Sequence, residues 1–268
     1  MSVKVISSRD NPHYKQLKQL ATSAPMRRKL GQTLLDGVHL CEAWLQHCGA
    51  PLLCVIGESA RHDPEISPIV ERCGSLGTHC LSLPDALFAP LSQVEHGRAL
   101  LFMIPVPAGP ATPVIDRPTV LLDGVQDPGN LGSILRSAAA AGIVQVICGE
   151  GTAAAWSPKV LRAGMGAHFV LHIAEHADLS ALMADATVPV YATSSHATAS
   201  IYDVALAAPC AWIFGHEGAG VSAPLAAMVT RELTIPQQAG VESMNVAAAA
   251  AVCLFEQRRQ ILTSVRSR

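Results

Sequence analysis

Thr119-Val-Leu-Leu122 runs directly into Asp123-Gly-Val-Gln-Asp-Pro-Gly-Asn-Leu-Gly-Ser-Ile-Leu-Arg136. The four opening residues carry no charge and read as a strand buried on both faces. Pro128-Gly129 makes a turn, and Asn130 is placed to cap or orient the helix start that follows. Leu131, Leu135 and Ala138 then share one helical face. Strand, glycine-bearing turn and helix form the unit from which parallel sheets are built. Arg136 falls about 100° around the helix from Leu135, at its polar edge. A guanidinium there can grip a phosphate or ribose oxygen with several fixed donors, or pair with Asp123 or Asp127.

The same pattern recurs twice downstream, in Ile213-Phe-Gly-His-Glu-Gly-Ala-Gly220 and Ile235-Pro-Gln-Gln-Ala-Gly-Val-Glu-Ser-Met-Asn-Val246. Glycine lets backbone approach a ligand closely, so three such turns in one domain suggest one composite pocket. Glu217 is the one charged group of the second tract; it can brace Arg136, hydrogen-bond a ligand or face water. Pro236 stops strand pairing because it has no donor. Ser243 is a natural cap for the long helix that follows, with Asn245 in its first turn, and helix-start amides can hold an anion or a carboxylate. Both residues can equally be caps and nothing more.

Further strands are read at Val144–Ile147, Phe169–Ile173, Val188–Ala192, Ala211–Phe214 and Glu232–Ile235, with helices over Leu131–Ala141, Leu179–Ala184 and Met244–Leu262. This alternation predicts an α/β fold with a parallel sheet, whose ligands sit beyond the strand carboxyl ends, where all three tracts fall. Upstream, Pro105-Val-Pro-Ala-Gly-Pro-Ala-Thr-Pro113 cannot hold regular structure and marks a boundary. The domains are therefore 1–107, a proline-rich linker 108–116, and 117–268. The first part reads as a small α/β domain: a helix opened by Asn11-Pro12, strands at Gln32–Leu35, Leu52–Ile56, Cys80–Leu83 and Ala99–Ile104, and a helix over Val38–Cys48.

Half of the 268 residues are hydrophobic and 15% are charged, which predicts a packed globular protein. No apolar stretch is long enough to span a bilayer, and Lys4, Arg9 and Asp10 open the chain in place of a hydrophobic signal, so a soluble cytoplasmic protein without membrane contact is expected. The 8 cysteines include no C-x-x-C pair and read as reduced, small hydrophobic residues; no metal is expected. The net charge is only −2, yet residues 1–40 hold seven Lys/Arg against Asp10 and Asp36. Arg9, Lys15, Lys18, Arg27, Arg28 and Lys29 form a local basic set able to attract phosphates, unless they are simply solvated. No G-x-x-x-x-G-K-[ST], H-E-x-x-H or G-x-S-x-G occurs.

The order and content of the three tracts resemble the SpoU (TrmH-like) branch of the knotted (SPOUT) RNA 2′-O-methyltransferases, over roughly residues 117–262. Ser157-Pro-Lys-Val-Leu-Arg-Ala-Gly-Met-Gly-Ala-His168 resembles the family's second strand–helix connection. Asn11-Pro12, Arg27-Arg28-Lys29 and Asp36-Gly37 resemble a small RNA-binding domain related to ribosomal protein L30e. The resemblance implies a deep trefoil knot, a homodimer, S-adenosyl-L-methionine as methyl donor and a ribose 2′-hydroxyl of rRNA, or of tRNA, as acceptor. It implies cofactor binding by Thr193, Gly215, Ile235 and Met244, and it places Asn130, Arg136, Glu217, Ser243 and Asn245 on the family's polar catalytic-site positions. Gln237 stands where the family commonly has Met, Met244 where it has Leu, and Asp36 where the first domain often has Glu. Rival readings are a non-catalytic RNA-binding protein on the same scaffold and a knotted methyltransferase acting on a base nitrogen. A doubly wound nucleotide-dependent enzyme lacks its glycine fingerprint.

Overall fold

The computed structural model describes residues 3–92, 97–109, 112–238, 240 and 243–266. Pro110 and Ala111 of the linker, and Ala239, Val241 and Glu242 of the third tract, lie outside the described residues. In chain order the elements are β1 (Lys4–Val5), α1 (Pro12–Thr22), α2 (Ala24–Leu30), β2 (Gln32–Asp36), α3 (Val38–His47), β3 (Leu53–Gly57), α4 (Ile66–Ser75), β4 (Cys80–Leu83), α5 (Asp85–Phe88) and β5 (Leu100–Pro105). There follow β6 (Thr119–Asp123), α6 (Pro128–Ala141), β7 (Gln145–Gly149), α7 (Pro158–Gly164), β8 (His172–Ala177), α8 (Leu179–Ala184), β9 (Val190–Thr193), β10 (Ala211–Gly215), α9 (Ala223–Ala226), β11 (Arg231–Leu233) and α10 (Val246–Arg266). They form two compact units, Met1–Pro107 with Trp156–Phe169, and Ala108–Ala155 with Val170–Arg268.

The first unit is built on a five-stranded mixed sheet of order β1-β4-β3-β5-β2. β5 runs antiparallel to both β2 and β3, while β1, β4 and β3 are parallel. One face carries Leu34, Leu53, Val55, Leu81, Leu83, Leu101 and Met103 against Tyr14, Leu17 and Leu20 of α1. The alternate residues Leu35, Cys54, Ile56, Cys80 and Phe102 are buried as well, so the strands read as unbroken apolar runs. Asn11 caps α1 by accepting from the His13 amide, with Pro12 at the first turn. Trp156–Phe169, which the sequence order assigns to the second domain, packs here instead. Thr33 Oγ1 donates to Trp156 O at 2.8 Å, and the Trp44 and Phe169 rings meet edge to face at 5.4 Å.

The second unit holds a six-stranded sheet of order β11-β9-β10-β6-β7-β8, parallel throughout. Leu121, Ile147, Ala192 and Ile213 pack on one face with Leu179 and Met183 of α8. On the other face Val120 pairs in register with Trp212, whose indole donates to Gln257 Oε1 of α10 at 3.0 Å. Two strands lie elsewhere than the sequence places them. β8 begins three residues late, because Ala167–Phe169 form a short 3-10 turn, and β11 ends at Leu233, before Ile235. No helix among the described residues is long and apolar enough to cross a membrane, and no group of three His, Cys, Asp or Glu is arranged to hold a metal.

Candidate active site

β6 delivers the first tract to the carboxyl edge of the sheet. Gly124 there has φ +70°, a left-handed conformation open to glycine at little cost. Its amide donates to Thr152 Oγ1 at 3.2 Å, and that hydroxyl donates to Leu122 O at 3.0 Å, so Thr152 latches the turn. Asp123 Oδ2 accepts from the Ser222 amide at 2.7 Å. The cap of α6 is Asp127, which accepts from the Asn130 amide at 2.8 Å; Asn130 is a first-turn residue, not the cap the sequence suggests. This frees the Asn130 side chain to face its neighbours.

β10 ends at Gly215, and any Cβ on that residue would sit inside the backbone of Gly220 and Val221. The loop folds back so tightly because His216 and Gly220 exchange both backbone hydrogen bonds, at 3.0 and 2.8 Å. The His216 ring closes it further: Nδ1 accepts from the Gly218 amide at 2.9 Å and from the Ala219 amide at 3.2 Å. Glu217 is then held outward. Its carboxylate accepts from the amides of Gln126 (3.2 Å) and Asp127 (3.0 Å) and from Asn130 Nδ2 (3.0 Å). Partial burial raises the pKa of this carboxyl, but hydrogen bonds from Asn130 and from the Asp127, Glu217 and Gln126 amides outweigh it and hold the group at about 2. Glu217 braces the first tract, not Arg136.

In the third tract the structure corrects the reading of the helix start. Asn245 Oδ1 accepts from the amides of Ala247 (2.9 Å) and Ala248 (3.2 Å), so Asn245 caps α10 and Ser243 lies before it. Asn245 Nδ2 donates to Asn130 Oδ1 at 2.9 Å. Glu217, Asn130 and Asn245 thus form one hydrogen-bonded chain that ties all three tracts together. Ile235 lies beyond the β11 ladder and is 8% exposed; among the described residues neither its N–H nor its C=O is hydrogen-bonded. Ile235 borders a hollow.

That hollow is a cavity of about 400 Å³ at the carboxyl ends of β9, β10 and β11. Thr193, Gly215, Ile235, Met244, Glu217 and Ser243 all line it. Asn130 lies one hydrogen bond from the Glu217 wall, and Asn245 lies one further on, through Asn130. Arg136 does not line it: it is exposed on α6, and among the described residues its guanidinium makes no hydrogen bond or ion pair. Asp123 and Asp127, its candidate partners, accept from backbone amides instead. Sequence reasoning missed His196, Glu232 and Thr234 on the cavity wall and the latch at Thr152. Only register between non-consecutive strands brings these together, and no local pattern announces it. His216 was legible as part of a pocket tract, though not as its clasp.

Cavities of this size at strand carboxyl ends are where α/β proteins take small ligands. Comparison with known proteins narrows the class. Residues 117–255 match the SpoU rRNA Methylase family, and the chain belongs to that family. It is 31% identical over 259 residues to the 23S rRNA (guanosine(2553)-2′-O)-methyltransferase RlmP of Bacillus subtilis, covering 96% of this chain and all of that one. It is 28% identical to an RNA 2′-O ribose methyltransferase of known crystal structure, with a TM-score of 0.81 over 96% of this chain and 99% of the other. The AdoMet-bound rRNA methyltransferase of Sinorhizobium meliloti is 25% identical with a TM-score of 0.84, over 97% of this chain and 98% of the other.

Proposed function

We propose that this protein methylates the 2′-hydroxyl of a ribose in ribosomal RNA, with S-adenosylmethionine as donor. The observation that carries this reading is the Glu217–Asn130–Asn245 chain, which locks three strand-end loops around a ligand-sized cavity. The lining suits the donor. Thr193, Gly215, Ile235 and Met244 would hold it largely through backbone groups, and the unpaired Ile235 amide and carbonyl match the polar edge of an adenine. Among the described residues the walls carry Glu217 and Glu232 but no Lys or Arg, which favours a cationic sulfonium over a polyphosphate. When bound, the donor supplies an intrinsically electrophilic methyl group, so the protein's task is placement.

Arg136 supplies the other half. Its free, exposed guanidinium organises the acceptor ribose and the adjoining phosphate through fixed donors. It stays protonated, so it does not itself take the hydroxyl proton. That proton passes to a phosphate oxygen that Arg136 holds in place. Ser243 lines the cavity, and Asn245 fixes the start of α10. Several finer features belong to the same reading. β11 lies at one edge of the sheet and α10, which follows it, packs on α6 and β10; a deep trefoil knot belongs to this reading. The first unit acts as an L30e-like RNA-binding domain, the protein works as a homodimer in the cytoplasm, and no metal takes part.

Replacing Arg136 with Ala tests the assignment. Methyl transfer to ribosomal RNA should fall by at least about a hundredfold, while calorimetry with S-adenosylmethionine shows nearly unchanged affinity. Loss of both together would refute the assigned role. Methylation of an acceptor built on deoxyribose would instead point to a base nitrogen as target.

A further inference from the structure

We propose that His216 is a positioning residue whose neutral imidazole clasps the donor-binding loop, so that donor affinity falls when the ring takes up a proton. The inference rests on reading the cavity as the donor site. Two backbone amides, from Gly218 and Ala219, point at one lone pair on Nδ1. That arrangement needs Nδ1 unprotonated and puts the ring's single proton on Nε2. A second proton would place an N–H against two N–H groups, and both amides would lose their acceptor at once. Gly218 and Gly124 both stand close to this side chain: a Cβ added to Gly218 would lie 3.6 Å from the His216 Cε1, and one added to Gly124 of the first tract would lie 4.0 Å from the His216 Cβ.

The clasp sits where it matters for binding. His216, Gly218, Ala219, Gly220 and Glu217 all line the cavity, and Glu217 carries the hydrogen bonds to the first tract. Opening the His216 turn therefore loosens a cavity wall and the anchor of Asn130 together. Among the described residues, the ionisable groups on the surrounding elements are Glu217 on the loop, Asp123 at the end of β6, Asp127 at the cap of α6, and His196 and Glu232 across the cavity. Glu217, held at about 2, keeps its charge throughout the range in which an imidazole titrates. Asp123 and Asp127 are fixed on the Ser222 and Asn130 amides. His196 is the remaining imidazole on the cavity wall, and the test separates it from His216.

S-adenosylmethionine binding to the full-length protein is measured by calorimetry between about pH 8 and pH 5.5 for the wild type, His216→Asn and His216→Ala. Asn places an oxygen near the position of Nδ1, accepts from the same amides and takes no proton, so it should keep the affinity and flatten the pH profile. The wild type should lose about tenfold in affinity on acidification, and His216→Ala should be weaker by about that factor even at pH 8. A flat wild-type profile, or an Asn variant with the wild-type slope, would overturn the proposal. The nitrogen-15 shifts of the His216 ring supply a readout independent of any ligand. A proton on Nδ1 in the neutral wild type would overturn it as well. Failure of the wild type to bind the donor at any pH would instead sink the proposed function, while the ring tautomer and the Gly218 and Ala219 amide protection factors would still decide the clasp.

Discussion

Glu217 shows how one side chain can carry a loop without touching a charge of opposite sign. Its two oxygens accept from three N–H groups, and charged acceptors make stronger hydrogen bonds than neutral ones. Those bonds lower its pKa from 4.5 to about 2, which links loop stability to pH. A carboxyl depressed in the folded state stabilises the fold fully above its unfolded value, and that contribution fades as pH falls through the folded value. The contribution should therefore be complete at neutral pH and disappear between pH 4.5 and about 2. Glu217→Gln sets an NH₂ group against amides that need an acceptor, so it should lower the urea midpoint at pH 7. Urea unfolding of both proteins across that window checks this: the gap between them should close as acid is added, and a constant gap would disprove it. From the sequence, Glu217 was recognisable as the one charged group of its tract but its partners were not. They sit about ninety residues earlier in the chain, and only the pairing of β10 beside β6 brings them near.

Among the elements, β4 and α8 occupy the spans that apolar pattern and turn residues predict, because local signals bound both ends. The short helices α2 and α7 escaped that reading, being only two turns long with weak periodicity. The long helix α10 was legible through its alanine run, but its start moved from Met244 to Val246. Ser243 and Asn245 are both good caps, and the Asn130 contact selects Asn245. Its buried side carries Ala250, Cys253 and Leu254. Phe255 and Leu262, two turns apart on another side, remain 48% and 47% exposed, and Val265 is 68% exposed. Such exposed apolar side chains on a helix whose other side is buried support the proposed contact between two copies of the chain. Light scattering should give twice the 28.1 kDa chain mass, and Phe255→Arg with Leu262→Arg should give a monomer with an unchanged far-ultraviolet spectrum. A wild-type monomer at micromolar concentration would rule out the dimer.

At the scale of the whole molecule the two units divide the charge. The parallel sheet and its glycine turns were legible because strands buried on both faces leave unbroken apolar runs, whereas the attachment of Trp156–Phe169 to the first unit depends on contacts no local pattern encodes. Charge was legible as a cluster but not as a surface. Lys15 pairs with Asp10 at 3.0 Å, Lys18 donates to Pro90 O at 3.1 Å, and Arg27 donates to Leu20 O at 2.8 Å, with its pKa lowered by burial and by neighbouring Arg28. Arg9, Arg28 and Lys29 are exposed, and among the described residues their side chains make no hydrogen bond or ion pair, so they are the ones available to phosphates. Exposed cations that neutralise phosphates release counterions, and each contact adds about 0.7 to 0.9 to the slope of log affinity against log salt. Arg28→Glu with Lys29→Glu should weaken binding to ribosomal RNA and reduce that slope by about 1.5 to 2. S-adenosylmethionine affinity should not move, because among the described residues the proposed donor cavity is lined by the second unit. Arg27→Ala should act differently, lowering stability through the lost Leu20 contact with a smaller change in salt slope. Filter binding across a salt series, read beside donor calorimetry, separates these outcomes, and an unchanged RNA slope in the double variant would remove the first unit from the RNA contact.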